Sequence, residues 1–147
     1  MMIRFKLSNL GAMPKYMTAL SAGADLFASQ ECIIEPMQTL AVPTGLYIES
    51  YELYELSPNT IPELQIRARS SLAFKHGILL ANGVGTVDLD YPDEIKVLLW
   101  NSNHEKTFSI SPGERVAQIL LAYTYRIQQF EVGGVRTGGF GSTNASC

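Results

Sequence analysis

A period of two constrains this chain more than any other feature. Ile3, Phe5 and Leu7 alternate with Arg4 and Lys6. Leu64, Ile66 and Ala68 alternate with Gln65, Arg67 and Arg69, and Val87, Leu89 and Tyr91 with Asp88 and Asp90. Successive side chains of an extended backbone point to opposite faces, so such alternation predicts strands with one buried and one solvated face. Further apolar runs read as short strands at 33–34, 40–42, 46–48, 78–81, 95–100, 108–110 and 116–123. Turn signals punctuate them: Glu35-Pro36, Pro43-Thr44-Gly45, Ser57-Pro58-Asn59, Pro92-Asp93 and Ser111-Pro112-Gly113. Many short strands between Gly/Pro turns predict an all-β sandwich or barrel. One segment departs from the pattern. Residues 70–77 begin with a hydroxyl N-cap candidate, Ser70, and end at Gly77, which predicts a helix of about two turns. Its N-terminal amides, with Arg69 beside them, suit an anion.

With 147 residues the chain is one ordinary domain, and 46% hydrophobic against 17% charged residues excludes intrinsic disorder. The net charge of −3 argues against a nucleic-acid-binding surface. The mean hydropathy of +0.07 is slightly apolar, in keeping with subunit interfaces. Cys32 and Cys147 form neither a zinc pattern nor a disulfide framework. The opening residues lack the apolar core of a secretory signal, and no run approaches the ~20 apolar residues of a membrane helix. A cytoplasmic protein with no membrane partner is expected. Residues 1–132 read as the β-barrel. Residues 133–147, with five glycines before residue 142, read as a tail of the same domain that closes over a ligand.

Taken singly, the residues that could carry chemistry have plain readings. Asp88 and Asp90 lie two apart on an expected strand and share a face, which for most carboxylates is solvent. Asp25, among small and apolar neighbours, suits a turn or an edge. Arg69-Ser70-Ser71 suits a helix cap. Gln118, inside the apolar run 116–121, suits a buried amide bonded to backbone. His76 stands alone, and neither cysteine has an activating neighbour.

Their order is more specific than any one of them. Ser21-Ala22-Gly23-Ala24-Asp25-Leu26 comes first, then Ala68-Arg69-Ser70-Ser71-Leu72-Ala73 with Lys75-His76-Gly77. Asn82-Gly83-Val84-Gly85-Thr86-Val87-Asp88-Leu89-Asp90-Tyr91 is the third stretch and Pro112-Gly113-Glu114-Arg115-Val116-Ala117-Gln118 the fourth. Arg136-Thr137-Gly138-Gly139-Phe140-Gly141-Ser142-Thr143 is the fifth. In this order, and with the lead-in Pro43-Thr44-Gly45-Leu46, they resemble the five motifs of the trimeric dUTPase family along essentially the whole chain. There are departures. The fifth motif is one residue short between Arg136 and its glycine core, Asp93 stands where the family commonly has glycine, and Ser71 where many members have glycine. Residues 51–62 are longer than usual and read as an elongated surface hairpin.

The resemblance implies a jelly-roll-like β-barrel forming a homotrimer with active sites shared between subunits. It implies hydrolysis of dUTP to dUMP and pyrophosphate, which keeps uracil out of DNA and supplies dUMP for thymidylate synthesis. Asp88 is then the general base for the water that attacks the α-phosphorus. Ser70 stabilises the leaving bridging oxygen, and Gln118 holds the α-phosphate or the water. Arg69 and Arg136 bind the outer phosphates, with Ser71 in the same substrate-binding set. Asp25 acts through water on Mg²⁺. Uracil falls to the hairpin 82–87, with Asn82, Gly85 and Val87, and the deoxyribose to Tyr91. Phe140, Gly141, Ser142 and Thr143 close the site from the tail. Two other readings compete. A dCTP deaminase of the same fold needs a glutamate on the strand after the third motif, and 95–101 carries no carboxylate. A non-catalytic nucleotide-binding regulatory module would dispense with Asp88 or the tail, and both are present.

Overall fold

The alternating segments become ten strands and one helix in the computed structural model, which describes residues 2–54, 57 and 59–127. In chain order they are β1 (Met2–Leu7), β2 (Ala24–Phe27), β3 (Cys32–Ile34), β4 (Thr39–Glu52), β5 (Thr60–Arg67), α1 (Ser70–His76), β6 (Ile78–Leu80), β7 (Gly85–Asp88), β8 (Ile95–Asn101), β9 (Phe108–Ile110) and β10 (Arg115–Tyr125). One sheet has the order β1-β4-β8-β6, the other β2-β10-β5-β7, and β3 pairs with β9 as a separate ribbon. The pairings are antiparallel. This is the all-β architecture that the period of two predicts, and the jelly-roll-like form of it that the resemblance implies. Among the described residues no helix is long and apolar enough to cross a membrane.

The core lies where the inner faces of the sheets meet. Ile95, Val97 and Leu99 of β8 point inward with Val42 and Leu46 of β4, and Leu26, Ile66, Val116 and Ile119 come from the second sheet. The ribbon adds Ile34 and Ile110. Each such aliphatic side chain contributes roughly 1.5–3 kcal/mol by leaving water. The fourth inward position of β8 is polar: Asn101 is fully buried. Its amide donates to the carbonyls of Ile34 (2.9 Å) and Lys106 (2.7 Å). Its oxygen accepts from the backbone N–H and the side-chain amide of Asn103. Asn103 also donates to the carbonyl of His76, and Ser102 Oγ to that of Gly77. The β8–β9 connection thereby holds the C-terminal end of α1.

The structure differs from the sequence reading at several places. The runs at 40–42 and 46–48 are one strand, β4, which passes through Pro43-Thr44-Gly45 with a register shift against β8. Gly45 takes φ +68, a left-handed conformation open to glycine. Thr44 Oγ1 donates to the carbonyl of Ile95 and accepts from the N–H of Leu46, while the Glu94 carboxylate accepts from the N–H of Gly45. The bulge therefore satisfies its own backbone groups. Strands β4 and β5 belong to different sheets, so they are not the two arms of one hairpin, and residues 55, 56 and 58 of the expected hairpin 51–62 lie outside the described residues. Helix α1 starts as expected, but Arg69 occupies the N-cap position and makes no side-chain cap bond, so Ser70 is the first helical residue. Gly77 closes the helix at φ +65, as its position predicts. Strand β2 carried no sequence expectation; it sits at a sheet edge, where Asp25 was read.

Candidate active site

Among the clefts that gather motif residues, one of about 570 Å³ brings together Gly23, Ala68, Gly83 and Gln118, and two smaller ones hold most of the candidate side chains. The first of these two, of about 210 Å³, is lined by Met17, Asp25, Arg69, Ser70, Ser71, Arg115 and Gln118. Asp25 forms its floor. The residue is only 2% exposed, so its carboxylate needs partners. Arg115 donates to one oxygen at 2.9 Å and the Gln118 amide to the other at 3.1 Å. Asp25 and Gln118 are direct neighbours in the β2–β10 register. Arg115 and Gln118 are three apart on β10, which in a regular strand would send them to opposite faces. A register shift between Arg115 and Ala117 inserts the extra residue that brings both to Asp25, and Val116 and Ala117 are buried in succession as a result. Arg69 is drawn in from the far side, its guanidinium donating to the Arg115 carbonyl at 2.6 Å. Gly23 lets the first motif approach, since a Cβ there would lie 3.1 Å from that of Gln118.

Arg115 is the residue that sequence reasoning missed. It stands inside the fourth motif, but its partner is 90 positions away and the bulge has no glycine or proline to announce it. Gln118 is half-buried and bonds the Asp25 side chain rather than backbone. Ser70 is exposed and Ser71 half-buried at the cleft rim.

The second cleft, of about 190 Å³, takes Asn82, Gly85, Thr86, Val87 and Tyr91 from the third motif. Its walls are Ile66, Leu80, Ile95, Lys96 and Leu98. The expected hairpin 82–87 is instead a turn that crosses between sheets, because β6 pairs with β8 and β7 with β5. Gly85 is needed where β7 meets β5, because a Cβ there would stand 3.0 Å from that of Ile66. The sequence-predicted strand 87–91 stops at Asp88, so Asp90 lies in the following turn and the two carboxylates do not share a strand face. Leu89 and Tyr91 are buried, while Asp88 and Asp90 are exposed.

The register separates Asp88 from the first cleft. Gln118 pairs with Arg67, and Asp88 pairs with Glu63 at the other end of β5. Two strand spacings across and four residues along place Asp88 roughly 16 Å from Gln118. A ladder fills the interval: Arg67 donates to Gln65, and Gln65 to Glu63. Arg136, Phe140, Gly141, Ser142 and Thr143, with the whole expected tail 133–147, lie outside the described residues.

Among the described residues no cluster of three or more His, Cys, Asp or Glu could hold a metal ion. Asp25 instead offers a single carboxylate whose oxygens already accept one bond each. That donor set fits an ion held mainly by a ligand's phosphates and by water, with Asp25 bonded to that water.

The dUTPase family model matches residues 10–144. A deoxyuridine 5'-triphosphate nucleotidohydrolase of Cytophaga hutchinsonii is 46% identical over 139 residues, covering 90% of this chain and 84% of that protein. Among solved structures, the dUTPase of Streptococcus mutans aligns with a TM-score of 0.69 at 28% identity, over 84% of this chain and 98% of that one. A mutant dUTPase from phage phi11 of S. aureus, solved with a structural Mg(II) ion, aligns with a TM-score of 0.71 at 16% identity, over 90% of this chain and 97% of that one. An antiparallel jelly-roll with a buried Asp25 held by Arg115 and Gln118 below one cleft and the third motif lining another thus coincides with a match along nearly the full sequence, and the chain belongs to the dUTPase family.

Proposed function

We propose that the chain hydrolyses dUTP to dUMP and pyrophosphate, in a homotrimer whose active sites are each built from more than one subunit. The observation that carries the shared site is the separation of Asp88 from the Asp25–Arg69–Gln118 cluster. A carboxylate roughly 16 Å away, beyond the Arg67–Gln65–Glu63 ladder, cannot act on a phosphate held by Arg69 and Ser70 of the same chain. A neighbouring subunit supplies it. The exposed side chains of Leu10, Met13, Tyr16, Leu20 and Phe74 are apolar surface that association would cover.

In that site Asp88 accepts the proton of the attacking water, which is a poor nucleophile at neutral pH without a positioned base. Ser70 donates to the bridging oxygen as charge gathers on the leaving pyrophosphate. Arg69 is fixed by the Arg115 carbonyl and turns its remaining N–H groups to the outer phosphates. Gln118, oriented by Asp25, faces the α-phosphate. Mg²⁺ bound with the triphosphate would offset its negative charge, and Asp25 would hold it through water. The cleft of the third motif takes uracil, with Tyr91 against the deoxyribose, and Arg136, Phe140, Gly141, Ser142 and Thr143 close over the ligand from the tail.

The test begins with products. Incubation with each dNTP, UTP and Mg²⁺ should give dUMP and pyrophosphate from dUTP and little from UTP, dTTP or dCTP. Orthophosphate release, or comparable turnover of dCTP, would refute the assignment. Asp88→Asn should lower kcat by ~10²–10⁴ while leaving affinity for a non-hydrolysable dUTP analogue within a few fold. Sharing is tested by co-refolding two dead variants, Asp88→Asn and a deletion of 136–147. If Asp88 and the tail of one site come from different chains, random mixing repairs about a quarter of sites. No recovery in confirmed mixed trimers would place both elements on one chain.

A further inference from the structure

The outer face of β5 is charged at both ends, and neither charge meets its opposite within the described chain. Leu64 and Ile66 are buried, which turns Glu63, Gln65 and Arg67 to the other side of the strand. The Gln65 amide joins the three. Its oxygen accepts from Arg67 Nε at 3.2 Å and Nη2 at 2.5 Å, and its nitrogen donates to Glu63 Oε1 at 2.7 Å. A neutral group thus holds both the guanidinium and the carboxylate in place. Four residues of strand, about 13 Å, keep the two from meeting each other. Among the described residues neither forms an ion pair.

The register carries this polarity across the sheet. Directly opposite residues of antiparallel strands share a face. Arg67 stands opposite Gln118 of β10, and Glu63 opposite Asp88 of β7. One end of the face therefore sets two carboxylates side by side, an arrangement that repels itself and favours a cation. The other end presents the Arg67 guanidinium, which is exposed and lines the cleft of about 570 Å³ with Gly23, Gly83 and Gln118.

We propose that the partner of each charge is a second copy of this chain: Glu63 of one subunit pairs with Arg67 of the next, and the pair fixes the register that delivers Asp88 to Gln118. Such a contact joins two different patches head to tail, and in a trimer it closes into a ring. Every subunit then gives one Glu63 and receives another at its Arg67, so no charge of the ladder is left over. Asp88 travels with Glu63, and Gln118 stands beside Arg67, so the pairing that satisfies the ladder also completes the cleft. Charges across an interface act on register and on rejection of wrong alignments, which is the role given to this pair. The inference rests on the reading of a shared active site and names what aligns its two halves.

The experiment reverses the charges in the full chain and reads assembly by native mass spectrometry. Glu63→Arg and Arg67→Glu each set like charges against each other at the contact. Each should raise the concentration at which the trimer dissociates about tenfold or more. The double variant Glu63→Arg/Arg67→Glu restores the opposition and should return to within about threefold of wild type. Co-refolding the two single variants separates a contact between chains from coupling along one ladder. A mixed trimer holds two repaired contacts and one repelling contact. In an equimolar mix, mixed species should therefore exceed about three quarters of all trimers, their random share in a ring. Glu63→Gln and Arg67→Gln remove charge without reversing it; each should weaken assembly, and together by less than the sum. A double reversal no better than the singles, mixed trimers at the random share, or additive neutral substitutions would each overturn the proposal. A wild-type chain that turns over dUTP as a monomer would instead overturn the shared site, and the proposal with it.

Discussion

Asn101 offers the most direct test of how the fold holds its helix. The side chain is fully buried and spends its whole hydrogen-bonding capacity: two donors on the Ile34 and Lys106 carbonyls, and one oxygen shared by the Asn103 N–H and amide. Asn101→Leu keeps the volume and removes all of these bonds. At about 1 kcal/mol per bond lost, the four together are worth about 4 kcal/mol, with part recovered where Lys106 and Asn103 can take water. Asn101→Asp keeps the shape but faces the two carbonyls with an acceptor, and a buried, mispaired charge costs several kcal/mol more. The predicted order of stability is therefore wild type, then Leu, then Asp. Urea unfolding followed by the fluorescence of the single tryptophan, Trp100, reads this order at fixed protein concentration, since oligomer stability depends on it. The melting temperature of the Leu variant should fall by roughly 10 °C. A loss under 1 kcal/mol in the Leu variant, or an Asp variant as stable as wild type at pH 7, would refute the claim that this network anchors α1.

Arg115→Met should leave the nearly buried Asp25 carboxylate with the Gln118 amide alone. Because the guanidinium is itself 42% exposed, the cost should be about 1–2 kcal/mol by chemical denaturation, with a loss of activity that exceeds the loss of folded protein. Deleting 136–147 should preserve the assembly by native mass spectrometry and abolish most turnover; full activity in the truncated chain would remove the tail from the site. Burial pushes the Cys32 thiol up, and Glu31 pushes it further. Its folded value therefore lies above its unfolded one, so its contribution to stability is complete below the unfolded value and is lost as pH rises through the folded value. Iodoacetamide at pH 8 should label Cys32 far more slowly in folded than in urea-unfolded protein, as read by peptide mapping. Equal rates would contradict the burial argument.

The parts of this protein that announce themselves in sequence are the parts governed by local rules. Alternation marks β5 because the strand buries one face, an apolar run marks β8, and Gly77 marks the end of α1 because a left-handed residue must stand there. The parts that stay hidden depend on distant partners. The Pro43-Thr44-Gly45 turn signal is real chemistry put to another use: with Glu94 and the Ile95 carbonyl to satisfy it, the chain continues as β4 instead of reversing. Nor does the sequence say that β4 and β5, neighbours along the chain, belong to different sheets.

The same division explains the site. Asp25, Arg69, Ser70, Gln118 and Asp88 were all legible as chemistry-bearing residues, but their grouping was not. Asp25 and Gln118 meet because β2 and β10 pair in one register, and Arg115 joins them because of a one-residue bulge. Had β10 been regular, Arg115 and Gln118 would have faced opposite sides, and Asp25 would be a buried carboxylate with a single neutral partner. The register that builds this cluster also holds Asp88 at the opposite end of β5. One set of strand pairings thus builds the Asp25 cluster and sets Asp88 roughly 16 Å from Gln118, and under the proposed function a neighbouring subunit must bring that carboxylate to the substrate.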